Sequence, residues 1–174
     1  DIDLVAQPGQ TIAIVGPTGA GKTTIINLLT RFYDVTTGEI LIDGVNVKDY
    51  DLEDLRSRIS IVLQRTELFG GTIEENISWG KADATMEEII EVTSIAQAHN
   101  FISSFARGYE TIVGERGSSL SGGQKQRLCI ARALLKRPKI IIFDDSTSAC
   151  DTVTDAKIRS GLKKFMPEVT KIII

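Results

Sequence analysis

The chain carries the sequence Gly16-Pro17-Thr18-Gly19-Ala20-Gly21-Lys22-Thr23, which fits the phosphate-binding pattern GxxxxGK(S/T). The apolar run Thr11-Ile12-Ala13-Ile14-Val15 precedes it and predicts a buried parallel strand, and a helix is expected from about Lys22. In such a turn the glycines let successive backbone N–H groups surround phosphates, while Lys22 reaches the β- and γ-phosphates and Thr23 offers its hydroxyl to Mg²⁺. This context favours nucleotide binding over a plain glycine-rich turn.

Strands and helices alternate along the rest of the chain, which predicts an α/β fold with a parallel sheet. Asp43-Gly44 lies between two apolar runs and predicts an antiparallel hairpin with a two-residue type I′ turn. Further strands are expected at residues 59–63, 139–143 and 170–174, with a helix near residues 153–165.

The segment from Thr72 to Leu135 has a helical pattern, with Thr85-Met86-Glu87-Glu88 as a capping box. It predicts a helical insertion in an otherwise α/β domain. We therefore expect one domain over residues 1–174, with a core at about 1–71 and 136–174 and a helical subdomain at about 72–135.

Composition restricts the function classes. Twenty Lys and Arg residues against 23 Asp and Glu residues give a net charge of −3, which disfavours nonspecific nucleic-acid binding. Cys129 and Cys150 form no CxxC pair and His99 is the single histidine, so a zinc site is disfavoured. No apolar run approaches the roughly 20 residues that span a bilayer. Because the chain ends in an apolar strand-like run, we expect it to be a soluble fragment of a longer protein.

Two more groups point to phosphate chemistry. Asp144 follows the apolar strand at 139–143, where a carboxylate can hold Mg²⁺ through water. Leu120-Ser121-Gly122-Gly123-Gln124 begins a helix, and its capping box alone would not need two glycines. A serine hydroxyl and bare amides at a helix N-terminus predict a second anion site.

The phosphate loop, the LSGGQ helix and the aspartate after an apolar strand, in that order, resemble the nucleotide-binding domain of ABC (ATP-binding cassette) proteins. The resemblance implies a P-loop ATPase that uses ATP and Mg²⁺. It also implies that two such domains pack head to tail, with each ATP between one phosphate loop and the other domain's LSGGQ. Gln64 matches the Q-loop glutamine that contacts Mg²⁺ and the membrane domain. The implied nucleotide-binding residues are Gly16, Pro17, Thr18, Gly19, Ala20, Gly21, Lys22, Thr23, Thr24, Gln64, Asp144, Ser121, Gly122, Gly123 and Gln124, with Thr23, Gln64 and Asp144 as Mg²⁺ ligands.

Two finer segments resemble ABC exporters. They are residues 68–77, which read LFGGTIEENI, and residues 113–117, which read VGERG. In exporters the second segment meets the intracellular ends of the transmembrane helices, which implies a coupling role for Glu115 and Arg116. The implied partners are a second nucleotide-binding domain and a transmembrane domain, at the cytoplasmic face of a membrane, with no nucleic acid. A soluble non-transport ABC ATPase is the alternative, although the long coiled-coil insertion or basic tract expected of one is missing here.

One position departs from the family. Members that hydrolyse ATP efficiently have a glutamate after the magnesium aspartate, whereas this chain has Asp145. The carboxylate is one methylene shorter, so it should position the attacking water poorly. The resemblance then implies the weakly hydrolysing half of a heterodimeric exporter, with Asp145, Gln64 and Lys22 as its catalytic residues. A backbone adjustment that lets Asp145 work as a base, and a regulatory module that binds ATP without hydrolysis, stay open.

Other residues are given structural interpretations. Cys150 is expected to fill a small packing site, with redox sensing as the alternative. His99 is expected on a helix surface and Trp79 in packing. In the family, the aromatic residue that stacks on adenine would lie upstream of Asp1 and the switch histidine beyond Ile174.

Overall fold

The computed structural model describes residues 2–114, 117–144 and 150–174. Its strands are β1 (Thr11–Ala13), β2 (Leu41–Ile42), β3 (Val45–Asn46), β4 (Ile59–Val62), β5 (Gly71–Thr72), β6 (Ile112–Val113), β7 (Ile140–Phe143) and β8 (Thr170–Ile173). Its α-helices are α1 (Lys22–Leu29), α2 (Leu52–Arg58), α3 (Ile73–Ser78), α4 (Met86–Ile95), α5 (His99–Ser104), α6 (Gly122–Leu135) and α7 (Thr152–Phe165). Short 3₁₀ turns cover Val47–Asp49 and Gly108–Glu110.

The central sheet has the strand order β1-β8-β7-β4, and every neighbouring pair is parallel. The expected α/β fold with a parallel sheet is therefore confirmed. Strand β7 reads Ile-Ile-Ile-Phe, and such a continuous apolar run is typical of a strand covered on both faces.

Alternate residues of β7 pack on opposite sides of the sheet, as the strand period of two requires. Ile142 belongs to a core with Ile26 of α1 and Leu55 of α2. Ile141 and Phe143 belong to a second and larger core, which also holds the apolar faces of α3, α4, α6 and α7. The helices between β4 and β7 thus share one continuous core with one face of the sheet. The division into a core at about 1–71 and 136–174 and a helical subdomain at about 72–135 stays a prediction.

The structure confirms the hairpin turn and the two capping boxes that the sequence predicts. Asp43 and Gly44 have φ angles of 51° and 77°, so both central residues of the hairpin adopt the positive φ that a type I′ turn needs. Thr85 and Ser121 each form the expected reciprocal capping box, and Thr72 forms another that the sequence reasoning did not single out.

The segment expected to be helical is not helical throughout. Gly71 and Thr72, where the segment begins, form a two-stranded antiparallel ladder with residues from its interior, in which Gly71 lies opposite Val113 and Thr72 opposite Ile112. Helix α2 was not predicted either, because its burial is confined to Leu55 and its start depends on the Asp51 cap. Within the described residues, no helix is long and apolar enough to cross a membrane.

Candidate nucleotide-binding site

The parallel sheet places several of the predicted residues at one edge. The Ile14 N–H donates to the Ile173 carbonyl at 2.8 Å, so β1 stays paired with β8 up to the glycine-rich loop. The Asp144 N–H donates to the Val62 carbonyl at 3.0 Å, which ties the start of the loop after β7 to the end of β4. Gln64 follows β4 by two residues. The phosphate loop, Asp144 and Gln64 therefore all follow carboxyl ends of strands in the same sheet, where α/β proteins bind ligands.

Lys22 is folded back over the glycine-rich loop. Its ammonium donates to the carbonyl of Gly16 at 2.6 Å and to that of Pro17 at 2.9 Å. Gly19 and Gly21 have φ angles of 83° and 89°, in the left-handed region where a side chain would be strained. The loop is thus wound around a positive charge, with backbone conformations that favour glycine.

Helix α1 begins directly after the loop. Its N-cap is Gly21, which has no side chain to cap the first amides. In any α-helix these amides have no acceptor within the helix and carry a partial positive charge. Thr23 and Thr24 in this first turn are exposed. The loop, the helix start and Lys22 form an arrangement suited to a polyphosphate.

The oxygen groups at this edge fit Mg²⁺. Thr23 offers an exposed hydroxyl, Asp144 a half-buried carboxylate and Gln64 an exposed amide. No cluster of three or more His, Cys, Asp or Glu residues that could hold a metal occurs among residues 2–114, 117–144 and 150–174. The hydroxyl, carboxylate and amide oxygens named above are the donor set expected for Mg²⁺, which protein sites bind through one or two carboxylates together with phosphate oxygens and water. Asp145, the proposed catalytic carboxylate, lies outside the described residues.

The second predicted anion site is at the start of α6. Ser121 is the N-cap, and its Oγ accepts from the Gln124 N–H at 3.2 Å while Gln124 Oε1 accepts from the Ser121 N–H at 2.9 Å. The cap uses Ser121 Oγ as an acceptor, so the hydroxyl proton is still available to a ligand. Gly122 and Gly123 present first-turn amides that need no partner within the helix. Capping and anion binding are therefore compatible at this end of α6.

The two exporter-like segments lie side by side. Strand β5 of the first pairs with strand β6, which leads into the second. A Cβ atom placed on Gly117 would lie 3.1 Å from the Leu68 side chain, so the far end of the second segment also approaches the first. Glu115 and Arg116 themselves lie outside the described residues.

Trp79 does not fit its predicted role in packing. Its ring stacks on Phe69 with centroids 4.5 Å apart, yet 67% of Trp79 and 42% of Phe69 are exposed. We call Phe69 and Trp79 the aromatic pair. Ile112 of β6 is also 62% exposed. The sequence holds one signal of this exposure, because Trp79 directly follows α3 and lies outside the set of buried residues that helix provides.

The remaining predicted residues have structural surroundings. Half-burial raises the pKa of the Cys150 thiol, which disfavours the thiolate and supports the packing interpretation. His99 is only partly exposed, and its Nδ1 lies 2.8 Å from the Tyr109 hydroxyl, which in turn lies 2.6 Å from Thr93 Oγ1. His99 thus joins α5 to α4 through a hydrogen-bonded network.

Comparisons with known proteins agree with this geometry. The family model described as "ABC transporter" matches residues 1–148. ABC transporter B family member 4 of Dictyostelium discoideum is 51% identical over 173 residues, which are 99% of this chain and 23% of that protein. A fatty acid ABC transporter ATP-binding/permease protein of Mycobacterium bovis is 48% identical over 174 residues, all of this chain and 28% of the relative.

A solved structure is also similar. It is described as a bacterial Atm1-family ABC exporter with ATP bound, and it matches with a TM-score of 0.90 and 44% identity over 96% of this chain and 30% of that one. The chain thus spans less than a third of the length of these relatives.

Proposed function

Because the chain belongs to the ABC transporter family, whose ATPase domains bind ATP with Mg²⁺, we propose that it is the ATP-binding and ATP-hydrolysing domain of an ABC exporter. The observation that carries the proposal is the glycine-rich loop at the carboxyl edge of the sheet, in which Lys22 bridges the Gly16 and Pro17 carbonyls. The two carbonyl oxygens hold the Lys22 ammonium in the loop. A bound polyphosphate would offer its own oxygens to the ammonium in their place.

Each residue of the site has a role in this proposal. Lys22 and the backbone N–H groups of residues 16 and 18–24 bind the phosphates, and Thr23, Asp144 and Gln64 would hold Mg²⁺. When bound, the ion neutralises charge on the phosphate oxygens. Gln64 and Asp145 orient the attacking water. Most of the catalytic effect then comes from positioning and charge, as is general for phosphoryl transfer.

We propose that two such domains act together, head to tail. Ser121, Gly122, Gly123 and Gln124 would then contact the ATP held by the phosphate loop of the second domain. The support is the pair of separate anion-binding features on one chain, one at the start of α1 and one at the start of α6. ATP-driven dimerisation would power the transporter.

The proposed membrane partner is a transmembrane domain that contacts the region of Gln64, Glu115 and Arg116 from the cytoplasmic face. The relatives described as ATP-binding/permease proteins support this assignment. The exposed aromatic pair, beside the β5–β6 ladder, gives the partner an apolar surface of the kind that interfaces favour.

We further propose that the chain is the weakly hydrolysing half of a heterodimer, with a non-identical partner domain. Asp145 carries this proposal, because its carboxylate is one methylene shorter than the glutamate of efficient family members. A displacement of about an ångström in a catalytic group can cost on the order of 100-fold in rate.

The test is steady-state Mg-ATP hydrolysis by the full-length protein that contains this domain, purified without a partner chain. Negligible turnover by the unchanged protein, together with measurable turnover by the Asp145→Glu variant, would support the heterodimer half. Asp83→Glu, at an exposed position, is the matched control and should leave turnover unchanged. Brisk turnover by the unchanged protein would instead identify Asp145 as a working base in a self-sufficient dimer.

A further inference from the structure

We infer that Arg132 is a positioning residue that holds residues 67–72 and the aromatic pair in fixed register with helix α6. The inference rests on the proposed function, because a fixed register between α6 and the aromatic pair matters only if that pair contacts a membrane domain. A change at the nucleotide end of α6 would reach the proposed membrane-domain surface through Arg132.

The Arg132 guanidinium connects α6 to two other parts of the chain. Its Nε donates to the Asn76 carbonyl at 2.7 Å, and its Nη2 donates to Asn76 Oδ1 at 3.1 Å, which attaches α6 to α3. Its Nη1 donates to the Glu67 carbonyl at 3.1 Å, and the guanidinium carbon lies 5.4 Å from the Phe69 ring centroid. One side chain thus contacts the segment after Gln64, helix α3 and the aromatic pair.

Asn76 completes the connection from inside the protein. It is only 1% exposed. Its Nδ2 donates to the carbonyls of Phe69 at 2.9 Å and Thr72 at 3.0 Å, and its Oδ1 accepts from the Phe69 N–H at 2.8 Å. The backbone around Phe69 is therefore fixed by Asn76, and Asn76 is fixed by Arg132. Buried polar groups that are fully paired in this way specify one geometry strongly.

The backbones also approach closely at this point. A Cβ atom on Gly80, directly after Trp79, would lie 2.2 Å from the Arg132 carbonyl oxygen. Only glycine allows the end of α3 to pass this close to α6. The contact leaves little room for the aromatic pair to shift relative to α6 unless both move together.

The chemistry favours arginine here over any other cation. The described residues place no carboxylate at ion-pair distance from Arg132, and its partners are carbonyl and amide oxygens on two segments. The planar guanidinium donates in several fixed directions at once, whereas a lysine ammonium is a single point on a flexible stem. Burial lowers the pKa of the Arg132 guanidinium, in keeping with its enclosed position.

Helix α6 supplies the link to the nucleotide. Arg132 lies 11 residues after Ser121, which corresponds to about 16 Å along the helix axis. Buried apolar residues pack the helix within that distance and just beyond it, among them Leu128, Ile130 and Leu134, which are at most 1% exposed. The helix can therefore carry a displacement of its N-terminus as one body.

The test compares hydrogen–deuterium exchange in the full-length protein with its partner domain, with and without Mg-ATP. In the wild type we expect ATP to slow exchange both at residues 121–125 and at residues 66–80. In Arg132→Gln the protection at 121–125 should stay and the protection at 66–80 should be lost. Turnover should fall by roughly 2- to 30-fold at unchanged KM for ATP, because Arg132 contacts no part of the phosphate loop.

Two variants complete the design. Arg137→Gln removes an exposed arginine just beyond the same helix, which pairs with Glu91, and should behave as the wild type. Arg132→Lys preserves the charge and is the variant to use if Arg132→Gln does not fold; it should lose part of the protection at 66–80. Wild-type protection at 66–80 in either Arg132 variant, or its absence in an ATP-bound wild type, would overturn the inference. A wild type that does not bind ATP would refute the proposed function instead.

Discussion

At the scale of single residues, Lys22 serves two purposes with one ammonium. It ties the two ends of its own loop together through the Gly16 and Pro17 carbonyls, and it is the charge proposed to meet the phosphates. The loop geometry is therefore coupled to the presence of this side chain.

Replacement of Lys22 by alanine should weaken Mg-ATP binding by about 10- to 100-fold, because a charge-assisted hydrogen bond contributes about 1.5–3 kcal/mol. Isothermal titration calorimetry or displacement of a fluorescent ATP analogue measures the change. Lys48→Ala is the control, because its exposed ammonium donates to the Val35 carbonyl, which lies outside the glycine-rich loop. ATP affinity equal to that of the wild type would remove Lys22 from the site.

The site residues differ in how far the sequence can predict them. The glycine loop, Lys22 and Ser121 belong to short patterns whose geometry is local, so their types and spacing are sufficient. Asn76 and Arg132 were missed because they are 56 residues apart and each is unremarkable in its own helix. Only the fold brings them together, although an asparagine between the buried Ile73 and Ile77 is a signal that such a partner exists.

At the scale of elements, the contact between α3 and α6 depends on Gly80. Gly80→Ala should lower the free energy of unfolding by about 1–3 kcal/mol, because the added methyl group meets the Arg132 carbonyl and the backbones must separate. Denaturant unfolding followed by circular dichroism measures it. Gly70→Ala is the matched control, because a methyl group there meets nothing within 4 Å. Equal stability of the two variants would contradict the close approach.

Long periodic elements were predictable, and short ones only where a turn signal marks them, as Asp43-Gly44 does for β2 and β3. Apolar runs, helical periods or caps in the sequence predict the strands β4, β7 and β8 and the helices α1, α6 and α7. Strands β5 and β6 have two residues each, so no period can form, and their pairing depends on the helices folded between them. Helix α2 depends on Asp51, whose side chain accepts from the Glu53 and Asp54 N–H groups, while its outer face is exposed.

At the scale of the whole molecule, the head-to-tail proposal separates the two anion sites by function. Gly123→Asp should impair hydrolysis of the ATP bound by the partner's phosphate loop, since a carboxylate at the start of α6 repels phosphate. Binding at this chain's own Lys22 should be unchanged. Hydrolysis by complexes that combine Gly123→Asp with an active partner measures the effect.

The exposed Ser119→Ala, just upstream of the helix, is the control for that experiment. A loss confined to the ATP at this chain's own phosphate loop would contradict the arrangement.

The fold itself could be predicted at this scale, because alternating apolar runs and helical periods permit few topologies. The strand order could not, since periodicity does not say which strands are neighbours.

That strand order has a consequence for synthesis. The strand that leads into the phosphate loop pairs, within the described residues, with β8 alone, and Thr11 lies opposite Lys171. Thr11 and Lys171 are 160 residues apart, so a growing chain makes its phosphate loop well before the strand that supports it, by about 10 to 30 seconds at ribosomal speeds. Until then β1 is an apolar strand without its neighbour, open to chaperones and to mispairing. Changes in β8 should thus reduce the yield of ATP-binding protein without contacting the nucleotide.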